Sequence, residues 1–170
     1  MTTEKLPDLL APGLNVVFVG TAAGERSAKE KAYYAHPGNK FWRTLKEIRL
    51  TPREFKPSEY RNLLALGIGF TDLCKTQSGG DHTINEYDVS GFERKIARYQ
   101  PRAIAFTSKK AESKWLNCST RDICCGKQPI AREDFPVVFV LPSPSGAASG
   151  HWKIEPWQEL ADWVREHRPL

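Results

Sequence analysis

The sequence predicts an α/β domain of three layers, α/β/α, built on a central four-stranded, mainly parallel sheet. Three observations carry this. Four short apolar runs lie along the chain, each beside a glycine or proline. The runs are continuous rather than alternating, which marks strands buried on both faces, as in parallel sheets. The stretches between them carry apolar residues at helical spacing, and strands alternating with helices define this layered class.

The first strand is Leu14 to Val19 (LNVVFV), set between Pro12-Gly13 and Gly20. Gly67 to Leu73 (GIGFTDL) is the second, with glycines at its entrance. Ala103 to Thr107 (AIAFT) follows Pro101, and Val137 to Leu141 (VVFVL) lies between Pro136 and Pro142. A helix over Asn39 to Ile48 places Phe41, Trp42, Leu45 and Ile48 on one face. Thr51-Pro52-Arg53-Glu54 has the form of a capping box with proline at the first helical position. A helix from Ser58 to Leu66 follows the next proline. Ser90-Gly91-Phe92-Glu93 is a second capping box, opening a helix with Phe92, Ile96 and Tyr99 on its apolar side. Lys109 to Leu116 and Ile154 to His167 complete the helices, the last with an apolar stripe of Ile154, Trp157, Leu160, Trp163 and Val164.

The 170 residues suit a single domain over 1–170, with 1–12 read as a flexible N-terminus. Hydrophobic residues make up 40% and charged residues 26%, as in ordinary globular proteins. The net charge of +5 suits a polyanionic partner such as nucleic acid, although many enzymes without one carry as much. Met1 to Leu10 carries charges and lacks the apolar core of a signal peptide. No apolar run approaches the roughly 18 residues of a membrane helix. A cytoplasmic protein without a membrane partner is expected, nucleoid-associated if bacterial. Cys74, Cys118, Cys124 and Cys125 are expected as free thiols there. With no C-x-x-C or H-x-H pair beside them, neither a metal centre nor another cofactor is expected.

In parallel α/β sheets ligands bind at the carboxyl ends of the strands, so the chemistry is sought in the segments that follow them. After the first strand come Gly20-Thr21-Ala22-Ala23-Gly24 and then Tyr33-Tyr34-Ala35-His36-Pro37-Gly38-Asn39-Lys40-Phe41-Trp42. Small side chains in the first loop let a ligand approach backbone N–H groups. That loop lacks the lysine of a P-loop and the third glycine of a dinucleotide fingerprint. The second strand ends in Thr71-Asp72-Leu73, and the fourth opens into Leu141-Pro142-Ser143-Pro144-Ser145-Gly146-Ala147-Ala148-Ser149.

These segments, in this order, resemble the mismatch-specific uracil and thymine DNA glycosylases and the related hypoxanthine-DNA glycosylases of the uracil-DNA glycosylase superfamily. GTAAG is similar to their first loop and YYAHPGNKFW to their Y-x-A-H-P-x-N-x-F-W-like stretch. GIGFTDL resembles a G-I-G-F-T-N segment, YQPRAIAF (Tyr99–Phe106) the approach to the third strand, and LPSPSGAAS the loop that enters the minor groove. The resemblance implies a monomeric, metal-free, monofunctional enzyme. Its partner would be DNA containing uracil or another deaminated base, which it flips out and releases by hydrolysis of the N-glycosidic bond. It also implies base binding by Gly20, Thr21, Ala22, Ala23, Gly24 and Tyr34, the last by stacking. Ser143, Pro144, Ser145, Gly146 and Ala147 would meet the DNA.

One departure matters. The mismatch and thymine enzymes position the attacking water with an asparagine in the first loop, where this chain has Ala22. Another amide, carboxylate or imidazole must then hold the water. Asn39 is the first candidate, with a helix cap as its structural alternative. Asp72 is the second, with a turn or an ion pair to Lys75 as alternatives. His36 is the third, with bracing of its own loop as the alternative. Ala147 stands where the family has a leucine or arginine wedge, so His151 or Trp152 is a substitute wedge to consider. Arg26, Lys29, Lys31, Lys40, Lys109, Lys110 and Lys114 lie near strand-end loops, as DNA contacts or as plain solvated surface. Three classes stay open: a uracil-directed or hypoxanthine/xanthine-directed glycosylase, a damaged-base-binding protein without catalysis, and a nucleoside-handling hydrolase.

Overall fold

The four apolar runs form the parallel sheet that their composition predicts. The computed structural model describes residues 4–130 and 132–167. The strands are β1 (Val16–Gly20), β2 (Ile68–Asp72), β3 (Ala103–Phe106) and β5 (Val137–Val140). Val16 of β1 stands opposite Ile68 on one side and Ala103 on the other, and Ala103 stands opposite Val137. A fifth strand, β4 (Gly126–Lys127), pairs antiparallel with β5, giving the order β2-β1-β3-β5-β4. Two residues leave no periodicity to read, so the sequence predicts four strands where the described residues form five.

Side-chain alternation along the strands divides the core into two layers. Val16 and Phe18 point to one side. There they meet Phe41 and Leu45 of helix α2 (Phe41–Glu47) and Trp157, Leu160 and Val164 of α5 (Glu155–Glu166). Val17, Val19, Ile104 and Phe106 point to the other. They meet Phe92 and Ile96 of α3 (Val89–Tyr99) and Ala111 and Trp115 of α4 (Lys109–Leu116). A short helix α1 (Glu25–Glu30), which no sequence pattern predicts, follows the first loop. Among the described residues no helix is long and apolar enough to cross a membrane, and no three His, Cys, Asp or Glu side chains gather to hold a metal ion.

Three local expectations are corrected. The Thr51–Glu54 capping box does not form: the Thr51 hydroxyl donates to the Arg53 carbonyl at 2.8 Å and the chain bends. The segment read as Ser58–Leu66 is a 3₁₀ helix over Pro57–Leu66, whose entrance is closed by the Lys56 N–H donating to Glu59 Oε1 at 2.9 Å. The cap of α3 is Asp88 rather than Ser90. Its Oδ1 accepts the Gly91 N–H at 2.9 Å, so the helix starts at Val89.

The described part of the N-terminus is not a loose tail. Leu6 is buried, and Leu9 and Phe70 exchange two backbone hydrogen bonds of 2.9 Å. The Lys5 N–H donates to the Lys75 carbonyl at 2.7 Å. The cause is the open edge of β2, whose backbone groups and apolar flank need a cover. Residues 1–3 lie outside the described residues.

Candidate active site

Because β1, β2 and β3 run in parallel, their carboxyl ends open side by side. The register places Gly20 opposite Asp72. Thr107 follows the last residue of β3, with its N–H on the Val19 carbonyl at 2.9 Å. Asp72 is only 6% exposed. Its carboxylate lies against the Gly20 backbone so closely that a Cβ on Gly20 would fall 2.5 Å from Asp72 Oδ1 and 3.8 Å from Thr107 Oγ1. Glycine is required here for close approach, not for turning the chain.

Tyr34 closes the same space. Its hydroxyl donates to Thr107 Oγ1 at 3.2 Å, and the Thr107 hydroxyl donates onward to the Val19 carbonyl at 3.4 Å. The Tyr34 backbone has φ +53°, a left-handed conformation rare for a bulky residue and common where function fixes the chain. Neighbouring Tyr33 is buried and stacks on Phe70, with ring centroids 4.9 Å apart. Tyr33 thus lies within the core, while half-buried Tyr34 reaches the strand ends with its hydroxyl.

Burial raises the pKa of Asp72 to about 6. The Asp8 carboxylate pushes the same way, and Lys75 and Lys95 oppose it. At neutral pH the carboxylate is ionised yet basic for its type, the poise that suits proton abstraction from water. Burial and the Asp72 charge raise the Tyr34 hydroxyl well above the usual tyrosine value, which keeps it a donor.

The first loop is pinned through its carbonyls. Gly20, Thr21 and Ala23 accept from the N–H groups of Leu73, Cys74 and Gly79 at 2.9, 2.8 and 3.0 Å. The buried Thr21 side chain donates to Asp81 at 2.7 Å. Ala22 is half-buried and Gly24 exposed.

His36 and Asn39 bond within their own turn. His36 is exposed, and its Nδ1 accepts the Gly38 N–H at 2.9 Å. Asn39 Oδ1 accepts the Phe41 N–H at 2.9 Å, which starts α2 at Phe41 rather than at Asn39. One lone pair of Asn39 Oδ1 is thereby engaged. Asp72, by contrast, stands with Gly20, Tyr34 and Thr107.

The last loop is clipped to that same turn. The Pro144 carbonyl accepts the Lys40 N–H at 2.8 Å, and Lys40 Nζ donates to Ser149 Oγ at 2.8 Å. A Cβ on Gly146 would stand 3.2 Å from the Gly38 carbonyl. Ser143 and Ser145 accept the N–H groups of Ser145 and Ala147, each at 3.3 Å, which folds the loop into a 3₁₀ turn over Gly146–His151. Gly146 and Ala147 are exposed at its start. Trp152 is held rather than free: its ring packs on Trp157 with centroids 5.7 Å apart, and Lys40 Nζ sits 5.7 Å from the ring centre. His151 is exposed.

Among the basic residues, Arg26 pairs with Glu30 at 3.1 Å, Lys31 donates to the Lys5 carbonyl at 2.9 Å, and Lys114 Nζ lies 5.2 Å from the Tyr87 ring centre. Thr107 is not among the residues singled out by sequence, although the exit of the third strand is a place where the parallel-sheet rule directs attention. Asp8 is not among them either, because it sits in a stretch that reads as a tail.

The sequence model of the uracil DNA glycosylase superfamily matches residues 7–163. The chain belongs to this superfamily. A solved relative agrees in fold. It is the solution NMR structure of a candidate uracil DNA glycosylase from Methanosarcina acetivorans, with a TM-score of 0.64 and 22% sequence identity, over 96% of this chain and 98% of the other. The superfamily match starts at residue 7, so it includes the strap at Leu9 and the charged side chain of Asp8. In this superfamily member the pinned first loop, Asp72 and the clipped last loop all lie at the carboxyl ends of the parallel strands β1, β2 and β5.

Proposed function

We propose that the protein is a monofunctional DNA glycosylase. It takes a deaminated base, uracil first, out of the stack and hydrolyses its bond to the sugar as a monomer in the cytoplasm. The observation that carries this reading is the buried, basic Asp72 carboxylate at the strand ends, beside Gly20, Thr107 and Tyr34, in a superfamily member.

The chemistry then follows from the groups present. Cleavage passes through an oxocarbenium-like sugar as the C1′–N bond breaks and its electron pair leaves with the base. A water oxygen adds to C1′ and gives its proton to Asp72. The departing base carries negative charge, so donors at its carbonyl oxygens lower the barrier. The backbone N–H group of Ala22 is the donor we assign, because its neighbours Thr21 and Ala23 are held by their carbonyls on Cys74 and Gly79 and Ala23 is further tied in a bridge with Ser78. Tyr34 closes the cavity beside the base. With Ala147 at the wedge position, little energy is available to open a sound pair, so single strands and weak mismatches are the preferred substrates.

The test is strand cleavage. The protein is incubated in EDTA with labelled single- and double-stranded oligonucleotides bearing one uracil or one hypoxanthine, then treated with alkali. Alkali-labile breaks at uracil support the proposal, and breaks only at hypoxanthine move the specificity to the larger base. A second reading, damage binding without cleavage, is favoured by Ala22. Binding with no breaks on any substrate would establish it.

A further inference from the structure

The charged side chains around Asp72 come from three separate segments, and one of them is the N-terminal strap. We propose that Asp8 is a positioning residue of the Asp72 site: it holds the Lys75 ammonium away from the Asp72 carboxylate and so keeps that carboxylate basic. The proposal rests on reading Asp72 as the group that takes the proton from water.

Lys75 Nζ lies 2.9 Å from Asp8 Oδ1, donates to the Tyr33 hydroxyl at 3.2 Å, and stands 3.9 Å from Asp72 Oδ2. The first two are hydrogen-bond distances and the third is not. The Lys75 side chain is only 10% exposed and stands within reach of both carboxylates. Asp8 wins because more holds it in place. Lys95 meets its other oxygen at 2.6 Å and the Thr71 hydroxyl donates to Oδ1 at 2.7 Å. The strap carrying Asp8 is fixed on both sides, by the Tyr33 hydroxyl donating to the Pro7 carbonyl at 3.0 Å and by the Leu9–Phe70 pair.

The consequence is a division between two acids that share one lysine. Burial pushes Asp8 up, but Lys75, Lys95 and Thr71 outweigh it and hold Asp8 below the ordinary carboxylate value. Burial pushes Asp72 up as well, and there the lysines, engaged elsewhere, do not bring it back. The other groups facing Asp72 are Tyr33 and Tyr34, both kept neutral by burial, and the uncharged Gly20 and Thr107. Environments that drive neighbouring acids apart are how a site fixes which one acts as base.

Asp8→Asn preserves shape and the Thr71 contact while removing the charge. Lys75 is then free to close on Asp72, and the repulsion from Asp8 disappears; both effects lower the Asp72 pKa. The expected result is a pH–rate profile for uracil release whose acid limb moves about one pH unit lower, in keeping with the effect of an adjacent opposite charge. The plateau rate should fall several-fold because the base is weaker. Lys75→Met should move the limb the opposite way. A ¹³C NMR titration of the Asp72 carboxyl in the same variants reads both shifts without turnover. Should Asp72→Asn cleave as well as the unaltered protein, the base reading fails, while the NMR titration still decides the hold of Asp8 on Lys75. An Asp72 titration that stays in place or rises in Asp8→Asn overturns the proposal. If Asp8→Asn does not fold, Asp8→Ser, which also removes the charge, is read by the same titration, and an Asp72 value that does not fall overturns the proposal.

Discussion

The Tyr34 ring lies parallel to that of Phe41, with centroids 4.1 Å apart and planes 16° from each other. Phe41 is fully buried and tied to the core through an edge contact with Phe18 at 5.0 Å. Tyr34 is thus held from one face by the core and at its tip by Thr107. Tyr34→Phe removes the tip and keeps the ring. It is expected to cost about 1 kcal/mol of unfolding free energy, the worth of one hydrogen bond, in urea titration. Uracil release should slow several-fold, because the ring then loses its tether to Thr107 at the strand ends.

Asp72→Asn separates activity from stability. Removing the base should lower the single-turnover rate by about 10² or more. Stability should move the other way. The Asp72 pKa is raised from 3.8 to about 6 in the folded protein. The protonated carboxyl therefore favours folding, a contribution present below pH 3.8 and lost as pH rises through about 6. Asparagine stands in for the protonated form. The variant should thus be more stable at pH 7, by at most about 3 kcal/mol at 1.4 kcal/mol per pH unit, and no more stable at pH 4. Thermal unfolding at the two pH values checks the sign.

Gly20→Ala places a methyl where the Asp72 carboxylate now lies. Overpacking of this kind costs about 1–3 kcal/mol. The carboxylate must turn aside, and at least a ten-fold loss of uracil release is expected with the protein still folded, as circular dichroism would show. Unchanged activity would mean that the position of Asp72 is not critical.

Glu112 on α4 is fully buried, and both of its carboxylate oxygens lack a hydrogen-bond partner among the described residues. Burial raises its pKa to about 7. Its stabilising form is the neutral one, present below the unfolded value of 4.5 and lost as pH rises through about 7. Glu112→Met should raise the melting temperature at pH 8.5 and leave it nearly unchanged at pH 5. A melting curve that drops at both pH values would show that the carboxyl has a partner worth keeping.

The parallel sheet and its two helical layers are legible in the sequence because continuous apolar runs such as Val16–Val19 and Val137–Val140 suit a strand covered on both faces and little else. Strand β4 is not legible, since Gly126 and Lys127 take their place only from the edge of β5. The start of α3 is a contest between Asp88 and Ser90, two good caps two residues apart, and only the Gly91 N–H on Asp88 settles it. At the site, Asp72 and Tyr34 are visible from their motifs and from the rule that chemistry follows the strands. Asp8 is not, because Leu6 and Leu9 beside it look like isolated apolar residues in a charged tail. Their role exists only once β2 presents an edge to be covered.

The contact between Gly38 and Gly146 has a practical consequence for exchanging parts between superfamily members. Two stretches more than a hundred residues apart in the chain share one seat, with a bare backbone on each side and Lys40 as the fastener. A chimera that imports a bulkier last loop with a new wedge would find its seat occupied by the turn it must rest on. Residues 36–40 and 141–149 are therefore one cassette, to be transplanted together or left alone.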